Sequence, residues 1–249
     1  MLIDTHCHLF DEYYDNIEDV ISRAVSEGVG FIIVNGVDRK SNEEVLKLIK
    51  KYDIVYGALG IQPEEVSRAS YEDLIFIENH INDDKIVAIG EIGLDYHYEC
   101  DKDKQKEFFK KQLDIATKYN KPVIIHSRDC IQETYNILKE YKLKGIMHCY
   151  SGSVEMAREF SKIGYFIGVG GIVTFKNAVK LVEVVKAIGI NNIVVETDSP
   201  YLSPEPYRGK KNEPKNIKVI MEKIADIKGI DYEKLCDSVV SNVFGLFDK

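Results

Sequence analysis

No stretch of the 249-residue chain approaches the ~20 consecutive apolar residues of a membrane-spanning helix. Met1 leads straight into Leu2-Ile3, with neither a basic segment nor a cleavable apolar one. The five cysteines (Cys7, Cys100, Cys130, Cys149 and Cys236) are odd in number, scattered, and form no Cys-x-x-Cys pair. These absences predict a cytoplasmic protein with reduced thiols and no membrane partner. Positive charge is also short: the formal net charge is −8, which excludes coating nucleic acid by bulk electrostatics. Local contact with phosphate remains open, because bound divalent ions reverse the sign of a pocket. No low-complexity segment or linker interrupts residues 1–249, so one domain is expected, acting as a monomer.

What is present is an alternation of short β-branched runs with amphipathic stretches. Strands are expected at Leu2–His8, Gly30–Asn35, Ile54–Leu59, Ile86–Glu91, Pro122–His126, Gly145–His148, Tyr165–Val169 and Asn192–Asp198. A helical stretch follows each, and two helices, Lys215–Lys228 and Tyr232–Val243, close the chain. Uniformly apolar strands, buried on both faces, imply a parallel sheet with helices outside. No Gly-x-Gly-x-x-Gly opens a helix after the first strand, which argues against an open doubly wound sheet. Eight such units in about 250 residues predict a (β/α)₈ TIM barrel.

Active sites in such barrels lie at the C-terminal ends of the strands. In Asp4-Thr5-His6-Cys7-His8 the two histidines share a strand face, with Cys7 opposite. Other strands end at Glu91, His126, His148 and Glu196-Thr197-Asp198. Four imidazoles and two carboxylates at one mouth would be hard to solvate or pair without a metal. Six ligands suit two divalent ions sharing a carboxylate, with Glu91 the natural bridge. Asp198 then joins His6 and His8, while His126 and His148 hold the second ion. The nitrogen and oxygen ligation fits Zn²⁺, Mn²⁺ or Mg²⁺ alike. Cys7 and Cys149 are expected to face the helices.

Asp4–His8, Gly90-Glu-Ile-Gly-Leu-Asp-Tyr96, His126-Ser-Arg-Asp129, His148-Cys-Tyr-Ser-Gly152 and Glu196-Thr-Asp-Ser-Pro200 resemble the motifs of the TatD family of metal-dependent deoxyribonucleases. Phe108-Phe-Lys-Lys-Gln112, Asn216-Ile217 and Asn242-Val-Phe244 are similar to that family too, so the resemblance spans nearly the whole chain. It implies an amidohydrolase-like barrel with a binuclear divalent centre that hydrolyses phosphodiester bonds, typically from a DNA 3′ end. On matching positions it implies His6, His8, Glu91, His126, His148 and Asp198 as ligands. One departure stands out. The family usually carries His before the proline of the loop after strand three, where this chain has Gln62-Pro63.

In the expected mechanism, Asp198 accepts a proton from a metal-activated water and Glu91 bridges the ions. Gln62, Tyr96 and His97 are candidate pocket residues, with Tyr96 or Tyr98 stacking on a base. Arg128 either contacts phosphate or pairs with a nearby acid such as Asp129. Lys210 and Lys211 either contact phosphate or belong to a solvated loop. Two other functions fit the same barrel. One is hydrolysis of amides, lactones or aminoacyl esters; the other is metal binding without turnover. Many binuclear amidohydrolases bridge their metals by a lysine carbamate at the end of strand four, and Glu91 in that place favours the nuclease.

Overall fold

The computed structural model describes residues 1–97, 99 and 101–249. Eight parallel strands pair in chain order: β1 (Leu2–Cys7), β2 (Val29–Asn35), β3 (Val55–Leu59), β4 (Ile86–Asp95), β5 (Val123–Arg128), β6 (Gly145–Met147), β7 (Tyr165–Val169) and β8 (Ile193–Val195). The helices between them are α1 (Ile17–Ser26), α2 (Arg39–Lys51), α3 (Tyr71–His80), α4 (Lys102–Tyr119), α5 (Ile131–Leu138), α6 (Val154–Lys162) and α7 (Val179–Ala187). α8 (Ile217–Lys228) and α9 (Tyr232–Phe247) follow the last strand. The sheet is a nearly closed TIM barrel. Its seam lies between β1 and the segment after β8, where the His6 carbonyl accepts from the Asp198 N–H (2.9 Å) and the Ser199 carbonyl from the His8 N–H (2.7 Å).

The strands are buried on both faces, as their composition requires: Ile32, Ile33 and Val34 of β2 are all fully enclosed. Helix starts carry their own signals. The Asn16 side chain caps α1, and Asp38 and Ser41 form a reciprocal capping box on α2. Two buried amides tie helices to the loops of the mouth. Asn42 on α2 bonds both backbone groups of Gly60, and Gln112 on α4 bonds both backbone groups of Ile61. The loop carrying Gln62 is therefore clamped from two sides.

Two strands outrun their expected ends. β4 continues past Glu91 to Asp95 and β5 past His126 to Arg128, because their pairing extends through Gly93–His126, Leu94–Ser127 and Asp95–Arg128. Gly93 makes this possible. Its φ of +148° suits glycine, and a Cβ there would meet the His126 carbonyl oxygen at 1.9 Å. β6 and β8 instead stop short, at Met147 and Val195. The residues just beyond them enter left-handed turns, with φ of 45° at Cys149 and 56° at Asp198.

Candidate metal centre

At the C-terminal mouth the Nε2 atoms of His6 and His8 lie 3.2 Å apart. The Oε2 of Glu91 is 3.3 Å from the first and 3.6 Å from the second. The Oδ1 of Asp198 is 3.8 and 3.6 Å from the same two nitrogens. Tetrahedral ligands about 2.1 Å from an ion stand roughly 3.4 Å from one another. These four donors thus have the spacing of a cation cage. On the other side of Glu91, its Oε1 is 2.8 Å from His126 Nδ1. His148 presents Nε2 to Asp198 Oδ1 at 3.6 Å, and ligating atoms of Glu91, His126 and His148 lie within 4.8 Å of one another. The donor set fits divalent ions.

The rings are held from behind. His8 Nδ1 sits 3.0 Å from the Asn35 carbonyl oxygen, and His126 Nε2 sits 2.8 Å from Asp95 Oδ2. Each contact fixes the tautomer that turns the opposite nitrogen's lone pair to the cage. Asp95 is itself fixed, since its backbone N–H donates to Gln105 Oε1 (2.9 Å) and its carbonyl accepts from Gln105 Nε2 (3.0 Å). Behind His148, Nδ1 lies 3.0 Å from Glu196 Oε1, close but not aligned for a directed hydrogen bond. His6 Nδ1 and Glu196 Oε2 are buried with no hydrogen-bond partner among the described residues.

Charge in this cluster is finely opposed. Burial alone would raise the Glu91 carboxyl, but His6 and His126 hold it well below the usual carboxylate range. Asp198 is lowered likewise, burial being overcome by His148 and His8. Burial drags the imidazoles down, yet Asp95 and Glu91 carry His126 up to about 10, and Glu196 and Asp198 carry His148 to about 9. His6 goes the other way, lowered by burial and by its neighbour His148, whose ring stacks on it with centroids 3.5 Å apart. Protons and divalent cations are alternative counter-charges for the same carboxylates.

The ligand cluster opens into a cavity of about 640 Å³. Gln62 and Arg128 line it. Tyr96 and His97 do not: Tyr96 donates its hydroxyl to Glu133 (2.8 Å), and His97 Nδ1 lies 2.9 Å from Asp129. Tyr98 falls outside the described residues. Lys210 and Lys211 are not in the lining either, and the Lys211 ammonium donates to the Tyr13 carbonyl, tying two loops together. Cys7 is buried as expected, its thiol toward the Ile33 carbonyl. Cys149 corrects the expectation. It lines the cavity, because β6 has ended before it and strand alternation no longer sets its direction.

The parts played by four features escaped the sequence reading. Asp95 had a signal, since it continues the period-two alternation of Glu91 and Gly93 on one face. Glu196 was placed at its strand end, two residues before Asp198, but its stand behind His148 was not foreseen. Glu64, whose carboxyl is raised by burial and by Asp95, and the aromatic rim of Phe10, Tyr13 and Tyr201 lie in loops and had none.

The model of TatD-related DNases matches residues 3–248. The chain belongs to the TatD family. It is 44% identical to YabD, an uncharacterized metal-dependent hydrolase of Bacillus subtilis, over 99% of both chains. The crystal structure of YjjV, a TatD homologue from Escherichia coli K12, superposes with a TM-score of 0.95 at 31% identity, covering 100% of this chain and 98% of that one. A TatD family hydrolase from Entamoeba histolytica gives 0.86 at 27% identity, covering 99% of this chain and 97% of that one. This TatD protein is accordingly a metal-dependent hydrolase on an amidohydrolase-like barrel. No helix among its described residues is long and apolar enough to cross a membrane.

Proposed function

We propose that this chain is a deoxyribonuclease that removes nucleotides from a DNA 3′ end with the help of two divalent ions, Zn²⁺, Mn²⁺ or Mg²⁺. The observation that carries the proposal is the division of one carboxylate. Glu91 turns Oε2 to His6 (3.3 Å) and Oε1 to His126 (2.8 Å), so it serves two nitrogen sets at once. His6, His8 and Asp198 would hold one ion with Glu91, and His126 and His148 the other. Such ions supply Lewis acidity, making water a nucleophile near neutral pH and neutralising charge on phosphoryl oxygens.

The protein's own groups do the rest. Asp198, kept ionised by His148 and His8 against its burial, accepts the proton of the attacking water. A water–phosphorus bond forms and the P–O3′ bond breaks. The departing 3′-oxygen takes its proton from solvent, leaving a shortened strand and a 5′-mononucleotide. Gln62 offers an amide to a substrate oxygen where a family histidine would offer a titratable ring. Arg128, at the exposed edge of the cavity, offers a guanidinium to phosphate. All six candidate ligands lie within this one chain, so the proposed site needs no residue from a second subunit. Free thiols at Cys7, Cys130, Cys149 and Cys236 support the cytoplasm as its place.

The test is a hydrolysis screen of metal-reconstituted protein on 3′-labelled single- and double-stranded DNA, RNA, a lactone and an aminoacyl ester. Stepwise loss of 5′-mononucleotides from DNA is expected. Turnover of the acyl substrates with DNA untouched would replace the proposal by an acyl hydrolase, and metal binding with no turnover would leave a binding protein.

A further inference from the structure

The rim of the cavity has two unlike walls. Above β3–β6 it is polar, with Gln62, Glu64, Ser127 and Arg128. Above β1 and β8 it is aromatic. The Tyr201 ring stands edge-on to the His8 imidazole, with centroids 6.2 Å apart, and edge-on to Tyr13 at 5.7 Å. Phe10 backs Tyr13 at 6.2 Å. Tyr201 is 48% exposed, so this ring offers a face to whatever occupies the cavity beside the ligand cluster.

An exposed aromatic ring is often a loose one, but this pair is built in. The Tyr201 hydroxyl donates to the Tyr13 hydroxyl at 2.9 Å. The Tyr201 carbonyl accepts from the side chain of Asn212 (2.7 Å), which also donates to the Thr197 carbonyl (2.9 Å) and is fully buried. Tyr14 next door donates its hydroxyl to the Asn212 carbonyl (2.6 Å), and Lys211 reaches the Tyr13 carbonyl. The loops after β1 and β8 are thus stitched into one unit that holds both rings in place. A preorganised wall loses little entropy when a planar ligand stacks on it.

A substrate with its ester at the ligand cluster must put one of its flanks on this wall. We infer that Tyr201 and Tyr13 form a subsite for the base of the terminal nucleotide, the one released, while the rest of the strand leaves along the polar wall. The inference rests on the phosphodiester reading above and adds which flank of the scissile bond is recognised and by what. Aromatic stacking suits a nuclease that degrades any sequence, because every base has a π-face. The paired hydroxyls at the ring edges tolerate the polar rim of a base, which an aliphatic wall would not.

The experiment is calorimetric titration of metal-loaded protein with thymidine 5′-monophosphate and, separately, with 2-deoxyribose 5-phosphate, which lacks the base. The wild type should bind the nucleotide about ten-fold or more tightly than the sugar phosphate, the size of one base on an aromatic ring. Tyr201→Phe should keep that difference. Tyr201→Ala should erase most of it while leaving the sugar phosphate's affinity and the metal content unchanged. Equal affinities in the wild type, or a preference that survives Tyr201→Ala, would overturn the subsite. Failure of both compounds to bind would overturn the phosphodiester reading itself, and the subsite with it.

Discussion

Asp4 on β1 accepts two hydrogen bonds from Thr197, from its backbone N–H at 2.8 Å and its hydroxyl at 2.5 Å. A third comes from the His6 N–H at 3.3 Å. These bonds close the barrel where β1 meets the end of β8, directly beneath the ligand cluster. Burial pushes the Asp4 carboxyl from 3.8 up to about 7 against the pull of those donors. Between these values the folded chain binds a proton that the unfolded chain has lost. The stability from this group is therefore full below pH about 4 and lost as pH rises through about 7. Asp4→Asn keeps the neutral shape and removes the titration. The stability of metal-free wild type relative to this variant should fall by up to about 4 kcal/mol between pH 4 and 8. Urea unfolding across that range checks it; a constant difference would contradict it.

Glu91→Gln should abolish turnover while the barrel stays folded. An amide has one acceptor oxygen and no charge for two cations, and the ligand mouth lies above the packed core. Metal analysis should find the ion content reduced. Near-wild-type activity with two ions bound would refute the bridging assignment.

Glu196→Gln and Asp95→Asn should each weaken metal binding by about 10- to 100-fold, the usual cost of removing the partner that orients a ligating histidine. The first acts behind His148 and the second on His126. Isothermal titration with Zn²⁺ or Mn²⁺ measures the loss, and unfolding of the metal-free chains shows whether the fold is intact. Unchanged affinity in a folded variant would make that carboxylate structural only.

Metal affinity should fall as pH falls. His126 and His148 are raised to about 10 and about 9, so below pH 9 an incoming ion must displace their protons. Two displaced protons make the apparent affinity drop by up to about a hundred-fold per pH unit. Titration in buffers of different ionisation enthalpy counts the protons released. A count of zero at pH 7 would contradict these protonation states.

Gln62→His should raise DNA hydrolysis about ten-fold, below the 10²–10⁴ of a fully engaged acid or base. The loop is clamped by Asn42 and Gln112, so the new ring enters the cavity where Gln62 stands. The gain should be largest near and below the imidazole pKa of about 6.5. Comparing pH–rate profiles on one oligonucleotide decides it. An unchanged profile would remove this position from the chemistry, and a lower rate would favour an acyl substrate.

Alternating β-branched runs and amphipathic stretches determined the barrel, because periods of 2.0 and 3.6 residues are local properties of the chain. Strand ends determined which histidines and carboxylates meet, since a parallel barrel brings every C-terminal strand end to one mouth. Local pattern stops at the last paired residue, and so did the legibility of the site. Only the β4–β5 ladder carried Asp95 up to His126, and only the left-handed turn after β6 set Cys149 against the cavity. The stand of Glu196 behind His148 and the wall of Tyr13 and Tyr201 were likewise decided by tertiary structure. The bonds that hold them, such as Asn212 to Tyr201 and Lys211 to Tyr13, join loops that have no periodicity of their own, and the latter pair lies 198 residues apart.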